Sequence, residues 1–170
     1  MSTLYIVGTP IGNLEDISLR ALRVLKEVDF ILCEDTRVTR RLLDRYDIKT
    51  KLKVYNEKKS GLSEEAVVAL LEEGNNLALV TDAGMPGISD PGMRLINKLR
   101  LGQGLPLVKI EVVPGPSALT AALSISGLPA DQFLFLGFFP HKKGRESLFQ
   151  EIKESKRLVV FYESPHRVEK

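Results

Sequence analysis

Five short apolar runs rich in β-branched residues recur along the first two thirds of the chain: LYIV from Leu4, FILC from Phe30, LKVY from Leu52, LALV from Leu77 and VKIEVV from Val108. Between them stand stretches with helical spacing. Ile17, Ala21, Leu22, Leu25 and Val28 form one, and Val67, Leu70 and Leu71 form another behind an acidic start at Glu64 and Glu65. Strands that alternate with helices pair in parallel, and the helices cover both faces of the sheet they make. The expected fold is therefore α/β, a mainly parallel sheet sandwiched by helices.

In such sheets ligands sit at the carboxyl ends of the strands, where the loops emerge. Three loops at those ends are rich in backbone punctuation: GTPIGN (Gly8 to Asn13), TDAGMPGISDPG (Thr81 to Gly92) and PGPSA (Pro114 to Ala118). Glycine removes the Cβ that would keep a ligand off the backbone, and proline fixes φ so that a shaped loop loses less entropy on ordering. Any one of them would serve as a plain strand-to-helix turn. Three on one predicted edge suggest a broad cleft. A dinucleotide fingerprint fits poorly, although Glu34 or Asp35 lies where a ribose-binding acid would. GTPIGN has proline where a glycine should admit the pyrophosphate, and it lacks the third glycine. No GK[ST] follows any strand. What remains is a cleft offering backbone groups, the carboxylates Asp82 and Asp90, and the hydroxyls of Ser89 and Ser117. That chemistry suits a folded nucleoside with a zwitterionic tail better than a row of phosphates.

The net charge of +2 conceals an asymmetry: nine Lys or Arg lie between Arg37 and Lys59 against Asp44, Asp47 and Glu57. A local excess of this kind points to a polyanion such as nucleic acid, and it also suits a well-solvated surface helix. With 44% hydrophobic and 27% charged residues among 170, the chain is neither disordered nor fibrous and is long enough to bury a core. Its most apolar run, FLFLGFF from Phe133, is far short of the roughly 20 residues of a membrane span. MSTLYIVG lacks a charged leader, so no secretion signal is expected. The single cysteine, Cys33, can form neither an internal disulfide nor a zinc cluster. A reducing, cytoplasmic location and no metal follow as expectations.

After Gly127, Leu128 and Pro129 the pattern becomes FLFLGFFP, a helix-like stretch from Gly144 to Glu154, then RLVVFYESPHR. The division expected is 1–128 for a first α/β domain carrying the loops and 129–170 for the opening strand, helix and strand of a second α/β domain, truncated at Lys170.

In order and spacing, IVGTPIGNLEDISLRALRVLKEVDFILCEDTR, VTDAGMPGISDPG, VVPGPSALTAAL, FLGFFPHKKGR and VVFYESPHR resemble the tetrapyrrole-methylase-like family of S-adenosylmethionine-dependent methyltransferases. Within it they are most similar to the branch that methylates a cytidine 2′-hydroxyl in 16S ribosomal RNA, with methylation of a tetrapyrrole carbon and a non-catalytic RNA-binding module as the alternatives. The match covers essentially the whole chain. The resemblance implies two α/β domains with S-adenosylmethionine between them, a homodimer, and ribosomal RNA in the small subunit as partner. It places Pro10 and Ile11 beside the cofactor, then Asp82, Ala83, Gly84, Pro86, Ile88 and Ser89 from the second loop, and Ser117 and Ala118 under the adenosine. One departure stands out: many relatives have Gly-Asp-Pro in the second loop, where this chain has Gly84, Met85 and Pro86. Asp82 is the alternative source of that carboxylate.

A sulfonium methyl is already activated, so the protein must align the nucleophile and exclude water. A ribose hydroxyl also needs its proton taken or its developing charge stabilised. Asp35, Arg37, His141, Lys142, Glu163 and His166 are the candidates, and spacing does not choose among them. Glu163 and His166 suit a structural role equally well, and Cys33 lies in an apolar run typical of core. If Thr36 caps the next helix, Arg37, Arg41 and Arg45 form an i, i+4 stripe beside an apolar face of Val38, Leu42 and Tyr46. With Arg40, Lys142 and Lys143, that stripe is the candidate RNA contact, fixing position on a phosphate backbone without reading sequence. With much of one pocket wall missing, the 170-residue chain alone is expected to be inactive.

Overall fold

The alternation of strands and helices is realised element by element. A computed structural model describes residues 1–56, 61–102, 108–140 and 144–168. The chain divides into two compact units, Met1–Ser117 and Ala118–Lys170. The division therefore falls eleven residues ahead of the expected boundary at Leu128, at the start of a helix rather than after it.

In the first unit, strands β1 (Thr3–Val7), β2 (Phe30–Cys33), β3 (Lys51–Val54), β4 (Leu77–Leu79) and β5 (Lys109–Val113) form one sheet in the order β3-β2-β4-β1-β5. Every neighbouring pair is parallel. Helices α1 (Leu19–Glu27), α2 (Thr36–Arg45), α3 (Glu64–Glu72) and α4 (Met93–Leu101) cover it. Alternate strand residues enter two separate cores, as the period of two in a strand demands. Ile31, Cys33, Ala78 and Val80 pack with Ala21, Val24 and Leu25 of α1 and with Leu42 and Leu43 of α2. Leu32, Leu77 and Leu79 pack on the other face with Val67, Val68 and Leu71 of α3 and with Leu95 and Leu99 of α4. Ser18 and Ser63 cap α1 and α3 by accepting the N–H of Ala21 and Ala66. Lys51 and Lys53 lie two residues apart on β3, the last strand of the sheet order, and Lys53 lies 4.4 Å over the Phe30 ring.

This order creates a switch point. Strand β1 sends the chain to α1 on one face, while its neighbour β4 sends it to α4 on the other. Loops from two adjacent strands that part in this way leave a crevice between them. On the other side of β1, the β5 backbone approaches so closely that a Cβ on Gly8 would fall 2.6 Å from the Gly115 Cα, and one on Gly115 2.8 Å from the Gly8 Cα. Neither position tolerates a side chain without moving backbone.

The second unit contains α5 (Ala118–Ile125), β6 (Phe133–Phe138), α6 (Arg145–Glu154), β7 (Leu158–Tyr162) and the short α7 (Pro165–Val168). Strands β6 and β7 pair in parallel across α6, the strand-helix-strand arrangement read from the sequence. Phe139 is buried against Phe149 and Phe161, with ring centroids 5.1 and 4.3 Å away. The Glu163 side chain is only 4% exposed and is gripped by two guanidinium groups, Arg145 at 3.4 Å and Arg167 one helical turn on. It also accepts the Ser164 N–H at 2.8 Å. A buried carboxylate is tolerated when every oxygen is paired in this way. Among the described residues no helix is long and apolar enough to cross a membrane.

Two outcomes follow for stability in urea. Gly115→Ala should lower it by about 1–3 kcal/mol through overpacking, whereas Gly12→Ala, with nothing within 4 Å of the added carbon, should stay within about 0.5 kcal/mol. Glu163→Gln should cost about 3 kcal/mol by leaving two part-buried cations without their anion. Glu146→Gln on the exposed side of α6 serves as its control.

Candidate functional site

The loops after β1, β4 and β5 meet at the carboxyl edge of three adjacent strands. Thr9 and Gly84 form a two-bond bridge, Thr9 N–H to Gly84 O at 2.9 Å and Gly84 N–H to Thr9 O at 3.1 Å. The Thr9 hydroxyl donates to Thr81 O at 3.0 Å, tying the first loop to the root of the second. Gly84 has φ +93°, a conformation that an L side chain rarely adopts. The Gly8 N–H donates to Val113 O at 3.1 Å, which brings in the end of β5. Further along the second loop, Gly87 N–H bonds Pro91 O at 3.2 Å and Ser89 takes a left-handed φ of +62°. That segment is a folded-back turn ending at Gly92, the first cap of α4.

Pro10, Gly84 and Pro86 are buried within this junction, while Ile11, Asp82, Ala83, Ile88 and Ser89 are exposed on it. Ile11 and Ile88 are 36% and 49% exposed, an unusual amount for isoleucines beside one another's loops. Ser117 closes the first unit and Ala118 opens the second. The departure at Met85 now has a physical account. Its sulfur lies where a Cβ on Gly8 would come within 2.6 Å, and the side chain packs on the α3 and α4 core. Met85 therefore fills space behind the loop, and Asp82 is the carboxylate on its open side.

Asp82 does not stand alone. Strands β2 and β4 are neighbours, so Glu34 at the end of one meets Asp82 at the end of the other. Burial, reinforced by the charges of Asp90 and Asp82 and opposed by the Asp82 N–H, pushes the Glu34 carboxyl up to about 7. Asp82 and Asp90 are also raised, by burial first and then by neighbouring carboxylates. Asp35 goes the other way. The Arg37 guanidinium and backbone N–H hold it at about 2. No Lys or Arg belongs to any of the three loops, so the loops themselves are acidic, and the nearest arginines beside Pro86, Gly87 and Ile88 are Arg94 and Arg100 of α4.

The candidates for proton transfer and RNA binding are thereby separated. Asp35, not Thr36, caps α2, accepting the Arg37 N–H at 2.8 Å, because an ionised carboxylate one residue earlier reaches the same orphan donor. Its Oδ1 also takes the Arg37 Nε at 3.0 Å, so Arg37 is committed to the cap. The buried face of α2 is Thr39, Leu42 and Leu43, with Tyr46 partly buried beside it and Val38 at 40% exposure, so the face expected is rotated toward Thr39. Arg40, Arg41 and Arg45 remain exposed, with no ion pair among the described residues. Glu163 is consumed by its two arginines, and His166 is exposed on α7. His141, Lys142 and Lys143 lie outside the described residues, as do Lys58 and Lys59 of the basic run. Glu34 was reached by sequence reasoning only as a ribose-binding possibility. Its raised carboxyl depends on β4 lying beside β2, which no local signal reveals.

Comparison with known proteins agrees with this architecture. The chain is 50% identical over 169 residues to a Thermotoga maritima protein named Ribosomal RNA small subunit methyltransferase I, a match covering 99% of this chain and 74% of that protein. A Halalkalibacterium halodurans protein of the same name is 48% identical over 167 residues, covering 98% of this chain and 56% of its own length. This chain thus spans little more than half of that relative. The crystal structure of uroporphyrin-III-C-methyltransferase from Thermus thermophilus superposes with a TM-score of 0.59 at 26% identity, over 82% of this chain and 60% of that one. The family model described as Tetrapyrrole (Corrin/Porphyrin) Methylases matches residues 3–170, and the chain belongs to that family.

Proposed function

We propose that the chain belongs to an S-adenosylmethionine-dependent methyltransferase that acts on the ribose 2′-hydroxyl of a cytidine in 16S ribosomal RNA, with the small ribosomal subunit as its partner. The observation that carries the reading is the junction of three glycine-rich loops at the switch point between β1 and β4, which carry carboxylates and no lysine or arginine of their own. The residues present fit the cofactor. Exposed Ile11 and Ile88 offer apolar contact, and the backbone at Gly87 is open, with nothing within 4 Å of an added Cβ. Glu34, Asp82 and Asp90 supply the negative potential that suits a sulfonium and an ammonium. Pro10, Pro86, Ser89 and Ser117 complete the proposed contact set within the first unit. When bound, the cofactor supplies an electrophilic methyl group.

The chain's own part is to orient, exclude water and move one proton. Glu34 is the acceptor best matched to the ribose hydroxyl, because a carboxyl near 7 is both available as a base and strong enough to be useful at neutral pH. Asp35, held at about 2, is too weak a base for that role. Arg40, Arg41 and Arg45 on the outer face of α2 neutralise phosphates. Methylation of a tetrapyrrole carbon is the second reading, favoured by the uroporphyrin-III-C-methyltransferase likeness. That substrate gives three free arginines nothing to do.

Calorimetry with S-adenosylmethionine should show binding, and a folded chain that gives no heat overturns the proposal. For turnover, the chain is joined to the part of the Thermotoga maritima relative that the match leaves uncovered. Labelled methyl should then appear in 2′-O-methylcytidine of 30S subunits, and label in a porphyrin precursor instead would establish the second reading. Arg40→Glu with Arg45→Glu should weaken RNA binding and reduce the salt slope by about 1.4 or more. An unchanged slope removes α2 from the interface.

Glu34 also gives a pH signature. Its carboxyl binds a proton more tightly folded than unfolded, so this group's contribution is fully present below the unfolded value of 4.5 and is lost as pH rises through about 7. Glu34→Gln should therefore be more stable than the parent by on the order of 1–2 kcal/mol around pH 8, after allowance for solvent screening, and indistinguishable from it near pH 4. In the joined protein the rate should climb through about pH 7 and lose that limb in Glu34→Gln.

A further inference from the structure

Helix α2 is fastened to the crevice at both of its ends. At its amino end the Asp35 N–H donates to Asp82 Oδ1 at 3.3 Å, reaching the second loop. At its carboxyl end the Tyr46 hydroxyl donates to Leu14 O at 2.7 Å, reaching the first. Between the two fastenings the seam is poorly filled. A cavity of about 50 Å³ separates Val38, Thr39 and Leu42 of the helix from Pro10 and Leu14 of the loop. Where dispersion contacts are missing, the relative position of helix and loop is set by the hydrogen bonds at the rim.

The loop side is itself a preformed unit. Asn13 caps a single 3₁₀ turn, Leu14–Asp16, accepting the Glu15 N–H at 3.1 Å through its side chain, and the Ile17 N–H closes on Leu14 O at 3.4 Å. A shift of that turn moves Ile11 and Gly12, because the Thr9–Gly84 bridge fixes only the upstream end of the loop. The helix side carries the exposed arginines. Arg45 immediately precedes Tyr46, whose N–H caps the helix on Leu43 O at 3.2 Å, and Asp47 then reverses the chain at φ +50°. An anion held on Arg41 and Arg45 therefore orders the turn from which the Tyr46 hydroxyl reaches the first loop.

We propose that Tyr46 is a positioning residue that couples RNA on the outer face of α2 to the shape of the loop after β1, so that RNA and cofactor each tighten the binding of the other. The inference rests on the function proposed above. Such coupling is reciprocal by linkage, and its size is read as a ratio of affinities.

The test compares the chain with Tyr46→Phe, which removes one oxygen and keeps the ring. Three measurements are made: binding of S-adenosylmethionine with and without a saturating single-stranded RNA oligonucleotide, binding of that RNA, and hydrogen exchange at the Glu15, Asp16 and Ile17 amides. In the parent, RNA should raise cofactor affinity about fivefold and slow exchange at those amides. In Tyr46→Phe the ratio should fall to about one and the added protection should vanish, with RNA affinity held by the intact arginines. Two outcomes overturn the coupling while leaving the functional reading in place: both ligands bind the parent with no mutual effect, or Tyr46→Phe keeps the full ratio. If RNA binds and the cofactor does not, the three amides decide alone, and unchanged exchange overturns the coupling. If neither ligand binds the folded chain, the functional reading fails and takes the coupling with it.

Discussion

The paired backbone bonds between Thr9 and Gly84 are the interaction on which the site depends. They hold together two loops that leave adjacent parallel strands for opposite faces of the sheet, and without them the crevice would have no floor. The close approach of Gly8 and Gly115 adds the end of β5 to the same junction. Both devices use backbone alone. The side chains of the loops are thus left free to face outward, and Ile11, Ile88 and Asp82 are exposed beside the closely approaching backbones. A junction made from side-chain packing would have consumed the groups that a ligand needs.

Charge is sorted over a short distance of chain. Glu34 and Asp35 end β2 and turn toward the acidic crevice, and within one helical turn the sequence presents Arg40 and Arg41 to the opposite side. The cap residue does the sorting. By binding Arg37, Asp35 withdraws one cation from the basic face and one anion from the crevice. What remains is a carboxylate cluster suited to a cationic small molecule and a guanidinium face suited to phosphate, kept apart by the width of one helix.

Much of the fold was legible because its signals are local. The five apolar runs became the five strands, and the spacings from Ile17 and from Glu64 became α1 and α3, since period and capping are set within a few residues. The convergence of three loops was legible too, because parallel strands share a carboxyl edge. Other features depend on sheet order. Glu34 has an ordinary carboxylate's signature until β4 is placed beside β2 and burial raises it. The face of α2 was misjudged at Val38, because Thr39, a polar residue, is buried in its place, while Leu42 and Tyr46 do pack on the core. Glu163 could be named as either catalytic or structural from FYESPHR, and only the folded position of Arg145, eighteen residues upstream, shows its oxygens to be taken.

The position of β3 at the end of the sheet order carries its own consequence. An open strand edge presents unpaired amides and carbonyls that invite another chain to add itself, and flat apolar edges polymerise. Here the rim carries Lys51 and Lys53, and the opposite rim, β5, carries Lys109 and Glu111. Two β3 rims brought together would crowd the Lys51 and Lys53 ammonium groups against each other, so strand addition between two such rims is disfavoured.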